Sequence, residues 1–145
     1  MGTFRVQIEV GDPEGKRFES VEALVDTGAT NTTLPASVLE RLGVTPYTTT
    51  VFQLADGREL ELSVGRTWVK VNGHQEFTQV VFSGEGTEPI LGAVTLEEMG
   101  LAVDPVGRRL QPVRKYLMSS ALPLDRPSGL RFRAERQPPP GLTSR

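Results

Sequence analysis

Short segments in which apolar and polar side chains alternate, separated by glycine-containing turns, dominate this sequence. The clearest segment is residues 4–10, where every second residue is apolar. Alternation with a period of two is typical of a strand that buries one face. Asp56-Gly57 and Asn72-Gly73 each separate two strand-like segments, which is a strong signal for a hairpin turn. The pattern therefore predicts a mainly β domain.

The remaining elements follow from the same patterns. Extended segments are predicted at residues 17–25, 30–34, 50–55, 59–64, 68–71, 77–82, 90–92, 101–103 and 109–113. A short helix is predicted from Pro35, which suits a first helical turn, to the glycine at Gly43. Thr95 and Glu98 have the spacing of a capping box, which predicts a second short helix that ends at Gly100.

Composition divides the 145 residues into two parts. Residues 1–118 carry 11 basic and 16 acidic side chains and are interpreted as one globular domain. Residues 119–145 carry five arginines, two acidic residues and five of the eleven prolines, without hydrophobic periodicity. This composition predicts a largely disordered, Pro/Arg-rich tail.

Composition also disfavours several kinds of site and partner. The acidic balance of residues 1–118 argues against nucleic acid as the main partner. No apolar run approaches the roughly 18 residues that span a bilayer, and the first residues lack the pattern of a secretory signal, so no membrane partner and a cytoplasmic location are expected. With no cysteine and His74 as the single histidine, neither a metal site nor a cofactor is expected.

One segment places an acidic side chain where a buried strand is predicted to end. Residues 23–25 are apolar and are followed by Asp26, Thr27 and Gly28. A carboxylate in such a position is costly to desolvate, so it is usually paired, hydrogen-bonded or functional. Glycine lets the backbone turn tightly and lets another chain approach closely. Taken alone, the tripeptide is as typical of a structural acid, in a turn or capping the helix after Pro35, as it is of a functional carboxylate.

The surrounding residues resemble a known family. Residues 23–29 are similar to the active-site segment of retropepsins and their cellular and prokaryotic relatives, which are aspartic proteases. Ile90, Leu91 and Gly92 follow about 65 residues downstream, where that family has two apolar residues, a glycine and then a short helix. The hairpin predicted at Asp56-Gly57 lies between the two motifs, where the family has its flap.

This resemblance covers residues 4–114 and implies a fold. It implies a closed β-barrel that forms half of an acid protease, with a flap hairpin and two short helices. It also implies a psi-shaped loop, in which Ile90, Leu91 and Gly92 pack beside the Asp26 loop and brace it.

The resemblance further implies a homodimer. Aspartic proteases need two carboxylates, one acting as a general base on water and the other as a general acid. The sequence has a single Asp-Thr-Gly and no room for a second lobe, so the second Asp26 would come from an identical subunit. Thr27 would then form a hydrogen bond across the dimer, the Gly28 N–H would help to orient the carboxylates, and Ala29 would complete the loop.

An extended peptide or an unfolded protein is the substrate that the resemblance implies. The hairpin of residues 53–59 would close over it, with substrate contacts from a set of five residues. These are Thr30, Asn31, Ala55, Asp56 and Gly57. Many retroviral members have two acids at the positions of Thr30 and Asn31, so substrate preference should differ here. Residues 4–10 and 109–113 are candidates for strand pairing between subunits.

Two other functions remain open at this stage. One is a non-catalytic module that kept the fold for peptide binding or dimerisation. The other is a protease that processes its own tail, since a flexible segment of residues 119–145 could reach a cleft.

Overall fold

A computed structural model describes residues 3–115 as a mainly β domain. The strands are β1 (Phe4–Gly11), β2 (Phe18–Val25), β3 (Thr32–Pro35), β4 (Thr48–Gln53), β5 (Glu59–Val71), β6 (His74–Ser83), β7 (Ile90–Leu91), β8 (Leu101–Asp104) and β9 (Arg109–Pro112). The helices are α1 (Ala36–Arg41) and α2 (Ala93–Met99). The prediction of a mainly β domain with two short helices is confirmed.

Six strands form a closed barrel. The sheet has seven strands, which are neighbours in the order β1, β2, β7, β3, β6, β5 and β4. β1 also pairs with β5 at Glu9 opposite Lys70 and Val10 opposite Val69, which closes the ring and leaves β4 outside it. Closure removes the unpaired edges that an open sheet would expose. The predicted closed barrel is therefore confirmed.

One long strand, β5, replaces the two strands predicted at residues 59–64 and 68–71, so that prediction was wrong. Its first half pairs with β4 and its second half closes the barrel against β1. Gly65 lies at the junction, where a Cβ atom would approach both a ring carbon of Phe82 and the Thr45 carbonyl oxygen to 3.2 Å. Glycine therefore lets neighbouring segments approach closely here without ending the strand.

The core joins the barrel to both helices. Its members are buried apolar side chains from strands, from α1 and from α2. They include Ile8, Val10, Val25, Leu34, Leu39, Val69, Val80, Leu91, Leu96 and Met99. Burying an aliphatic side chain of this size contributes about 1.5–3 kcal/mol each, so the helices are held mainly by their apolar faces.

The two helices differ from prediction at their starts. α1 begins at Ala36 with Pro35 as its N-cap, one residue later than expected, and Gly43 follows it with a φ of 77°. α2 begins at Ala93 with Gly92 as its N-cap, so the predicted capping box is wrong. α2 ends at Gly100, as predicted, and this glycine has the left-handed conformation common at helix ends.

The last strands form a separate hairpin. β8 and β9 pair only with each other among the described strands. β1 is paired with β2 along its length and with β5 at its end, so the predicted pairing of β1 and β9 between subunits stays a prediction. The whole predicted tail, residues 119–145, lies outside the described residues. None of the helices among residues 3–115 is long and apolar enough to cross a membrane.

Asp12 in the β1–β2 turn should make stability depend on pH. Its Oδ1 atom accepts the N–H groups of Arg17 at 3.0 Å and Lys16 at 2.7 Å, and these hydrogen bonds lower the pKa of the Asp12 carboxyl. A lowered pKa in the folded state stabilises the fold above the ordinary aspartate value of about 3.9, and this contribution is lost as the pH falls through the folded-state pKa. Asp12→Asn should therefore lower the Tm at pH 7, and the Tm difference from the wild type should narrow as the pH falls below the ordinary aspartate value.

Thermal unfolding followed by circular dichroism at a series of pH values measures the Tm difference between the wild type and Asp12→Asn. Glu14→Gln is the matched control, because the Glu14 carboxylate is exposed and pairs only with the exposed Lys16 at 3.4 Å. A Tm difference for Asp12→Asn that stays constant down to pH 2 would contradict the argument.

Candidate active site

The Asp26 side chain lies on a loop that connects two strands flanking a third. The loop, residues 26–31, follows β2 and leads into β3. β7 lies between these strands, parallel to β2 with Val25 opposite Leu91, and antiparallel to β3 with Thr33 opposite Ile90. This is the psi-shaped arrangement, and it fixes both ends of the loop to one short strand.

Hydrogen bonds hold the Asp26 carboxylate within the loop. Its Oδ1 atom accepts the Gly28 N–H at 2.9 Å. The Asp26 N–H donates to the Leu91 carbonyl at 3.2 Å, and the Ala29 N–H donates to the Asp26 carbonyl at 3.0 Å. Asp26 is half-buried, whereas Thr27 and Gly28 are exposed. The loop therefore presents an oriented carboxylate at the surface of the described domain.

The start of α2 is built on the same loop. The first N–H groups of a helix have no partner within the helix. Here the Ala93 N–H donates to the Ala29 carbonyl at 2.8 Å, and the Val94 N–H donates to the Thr30 carbonyl at 3.0 Å. The loop carbonyls thus accept the hydrogen bonds of the first helix N–H groups, which explains why α2 begins at Ala93 and needs no side-chain cap.

Gly92 allows this close contact. A Cβ atom at this position would lie 2.4 Å from the carbonyl carbon of Asn31 and 2.5 Å from its oxygen. The Thr30 carbonyl oxygen would be 2.9 Å away. The obstructing atoms are backbone and cannot rotate aside, so any other residue would force β7 and the loop apart.

A cleft of about 380 Å³ lies beside the loop. The loop side of the cleft consists of Gly28, Ala29, Thr30 and Asn31, with Thr33 beyond them. The β4–β5 hairpin contributes the opposite side through Phe52, Gln53, Leu54 and Leu62, and Val81 of β6 also lines it. All ten lining residues are uncharged, so the cleft can accommodate an apolar or neutral polar chain.

The tip of the hairpin does not line this cleft, and the substrate contacts predicted for Ala55, Asp56 and Gly57 stay a prediction. The tip is exposed and closes on itself. The Asp56 carboxylate accepts the N–H of Arg58 at 3.0 Å and its guanidinium at 2.7 Å, and Gly57 has a φ of 90°. These contacts lie within residues 56–58, so the conformation of the turn does not depend on contacts with the Asp26 loop.

Phe52 and Leu62, which do line the cleft, were not among the predicted site residues, because the prediction rested on the turn at Asp56-Gly57. The signal for them is the strand register. Phe52 lies opposite Leu60 and Thr50 lies opposite Leu62, so these four side chains share one face of the hairpin. Alternate apolar positions on both strands therefore mark the face directed at the cleft.

Hydrogen bonds between side chains hold Asn31 at the edge of the cleft. Its Nδ2 atom donates to Oε1 of Gln79 at 3.2 Å. The Nε2 atom of Gln79 in turn donates to the Tyr47 hydroxyl, also at 3.2 Å. Thr30 and Asn31, where many retroviral members have acids, are thus neutral, and Asn31 is hydrogen-bonded to a neutral side chain.

A second, smaller depression lies next to Thr27. It has a volume of about 290 Å³ and is lined by residues of the loop, α2 and β8. These residues are Thr27, Ala93, Leu96, Glu97, Leu101, Ala102 and Val103. An apolar depression beside an exposed loop is a surface suited to being covered. Within residues 3–115, no group of three or more histidine, cysteine, aspartate or glutamate side chains is arranged to hold a metal ion.

Comparison with known proteins shows a family to which the chain belongs and solved structures that it resembles. A family model described as aspartyl protease matches residues 6–95, more than half of the chain. The solution structure of the simian foamy virus (mac) protease matches with 23% identity and a TM-score of 0.48, covering 65% of this chain and 92% of that chain. A search of curated proteins finds no match.

Gly92→Ala should destabilise the domain strongly. The added methyl group meets fixed backbone at Asn31, and forcing extra volume into such a contact costs about 1–3 kcal/mol or more. Gly84→Ala is the matched control, since a Cβ atom there meets no atom within 4 Å and its φ is not in the left-handed region. Urea unfolding at one protein concentration measures both variants, and equal midpoints would show that the contact is looser than the distances indicate.

Proposed function

Because the chain belongs to the aspartyl protease family, we propose that it is an endopeptidase that acts as a homodimer with one Asp26 from each subunit. The observation that carries the proposal is the position of the Asp26 carboxylate. It accepts the Gly28 N–H, and Gly28 with the next three loop residues lines an uncharged cleft to which a β-hairpin also contributes. This arrangement suits hydrolysis of an extended peptide.

Two features of the single subunit support a dimer. A second carboxylate is needed for this chemistry, and the sequence contains only one Asp-Thr-Gly. Thr27 and Gly28 are exposed next to the depression that contains Leu96 and Leu101. A second copy related by a two-fold axis would cover this surface and bring the two Asp26 side chains together.

The proposed reaction needs no covalent intermediate. Two carboxylates about 3 Å apart do not both ionise easily, so the pair would hold one proton. The ionised Asp26 takes a proton from water while the water oxygen bonds to the scissile carbonyl carbon, and the partner's Asp26 gives its proton to the carbonyl oxygen. Asp26 then gives the proton that it took from water to the amide nitrogen, and the C–N bond breaks. A hydroxyl of the tetrahedral species returns its proton to the partner's Asp26, so that an acid and an amine leave and the pair again holds one proton.

The cleft supports an extended peptide with uncharged side chains as the substrate. β4 is at the end of the strand order, so its outer edge is unpaired among the described strands and can add a peptide strand. Phe52, Leu54 and Leu62 offer apolar contacts to a substrate side chain. A charged side chain there would lose hydration without meeting a counter-ion.

Asp26→Asn should reduce peptide cleavage by about a thousandfold or more, since it removes the general base and the proton shared by the pair. Cleavage of a random peptide library, analysed by mass spectrometry, measures the loss. Asp12→Asn, in a turn formed by β1 and β2, is the matched control and should cleave like the wild type at neutral pH. Cleavage that survives Asp26→Asn would show that the chemistry lies elsewhere.

Mixing subunits tests the sharing of one site. When wild type is allowed to exchange with an equal amount of Asp26→Asn, only about a quarter of the dimers keep both carboxylates. The activity of a fixed amount of wild type should therefore fall by about half, and sedimentation should show dimers in both samples. Activity that is unchanged on mixing, with subunit exchange verified, would refute a site shared between subunits.

A further inference from the structure

Three buried threonine hydroxyls form a continuous chain behind the Asp26 loop. Thr32 lies on β3, Thr78 on β6 and Thr95 on α2, and each is at most 1% exposed. The hydroxyl oxygen of Thr95 is 2.6 Å from that of Thr32 and 2.9 Å from that of Thr78. Buried hydroxyls need hydrogen-bond partners, and these three supply one another across two strands and a helix.

The two ends of the chain determine its direction. At one end the Gly92 N–H donates to the Thr32 hydroxyl oxygen at 3.1 Å. At the other end the Thr78 hydroxyl donates to a carboxylate oxygen of Glu98 at 2.6 Å. Since Thr78 uses its proton on Glu98, Thr95 must donate to Thr78 and Thr32 must donate to Thr95. Every hydroxyl then accepts one hydrogen bond and donates one, and the direction is fixed by the anionic acceptor.

The chain ends on the segment that braces the catalytic loop. The residue before Gly92, Leu91, accepts the Asp26 N–H, and the residue after it, Ala93, donates to the Ala29 carbonyl. The Gly92 N–H is the donor between these two contacts, and Thr32 is its acceptor. The orientation of the Thr32 hydroxyl therefore bears directly on the placement of the loop.

We propose that Glu98 is a positioning residue for Asp26, acting through the Thr78, Thr95 and Thr32 hydroxyls on Gly92. This inference rests on the proposed protease function. Glu98 does not touch the cleft as described, and its role is to keep the hydroxyl of Thr32 as the acceptor of the Gly92 N–H. Charge-assisted hydrogen bonds at the end of such a chain polarise and strengthen the others.

Removing the carboxylate leaves one proton of the chain without its acceptor. The Thr78 proton then turns towards Thr95 and reverses the chain, so that Thr32 accepts from both Thr95 and the Gly92 N–H while its own proton has no acceptor in the chain. A buried hydroxyl proton would be left unsatisfied at the point where β7 meets the loop, which is costly unless the residues around Thr32 shift. The loop relaxes, and the reacting groups lose alignment although the cleft remains intact.

Glu98→Ala should therefore lower kcat by about ten- to a hundredfold with little change in KM, because a displacement of about 1 Å costs that much in rate. Glu98→Gln keeps a carbonyl oxygen as acceptor and should restore most of kcat. Both are measured on the full chain with a fluorogenic peptide chosen from the library products of the wild type. Glu40→Ala, an exposed glutamate on the last turn of α1, is the matched control and should behave as the wild type.

Amide hydrogen exchange at Gly92, measured by NMR, reports on the chain of threonine hydroxyls and does not require catalytic activity. Its protection should fall by about tenfold or more in Glu98→Ala and recover in Glu98→Gln. If Glu98→Ala does not fold, Glu98→Asp serves instead, since it keeps the charge but withdraws the carboxylate by one methylene, and the same two losses are expected. Wild-type kcat with wild-type protection of Gly92 in a folded Glu98→Ala or Glu98→Asp variant would overturn the proposal. A wild type that cleaves no peptide would instead overturn the proposed function, and the Gly92 exchange would still decide whether Glu98 directs the chain.

Discussion

The contact between residues 91–94 and the Asp26 loop is the interaction on which the site depends. A strand end and a helix start meet there within four residues, and each gives the loop a different kind of hydrogen bond. Leu91 offers a carbonyl to the loop, while Ala93 and Val94 offer helix donors that would otherwise be unsatisfied. The loop therefore keeps one conformation without any covalent link.

Local patterns predicted the strands and their turns, because alternation and glycine act over a few residues. The start of α2 was not predictable in this way. Its capping groups are the carbonyls of Ala29 and Thr30, more than sixty residues earlier in the chain, so the spacing of Thr95 and Glu98 was misleading. The continuity of β5 was missed for a similar reason, since the segments packed against Gly65 come from distant residues.

The site shows the same division. Asp26 stands out from the sequence because a carboxylate directly after an apolar strand is unusual. The sides of the cleft do not, since whether Phe52 and Leu62 face the loop depends on strand register and on how the hairpin leaves the barrel. The alignment of Thr32, Thr78 and Thr95 depends on three elements packing together, which no local spacing records.

The double role of β5 ties access to the cleft to the wall of the barrel. The strand leaves the barrel and becomes one arm of the hairpin without an intervening hinge. The other half of this strand is hydrogen-bonded to β1 and β6. Bending the hairpin away from the cleft must therefore bend β5 itself at the point where it leaves the barrel. The stiffness of the hairpin is set there, near Gly65 and Phe82, neither of which lines the cleft.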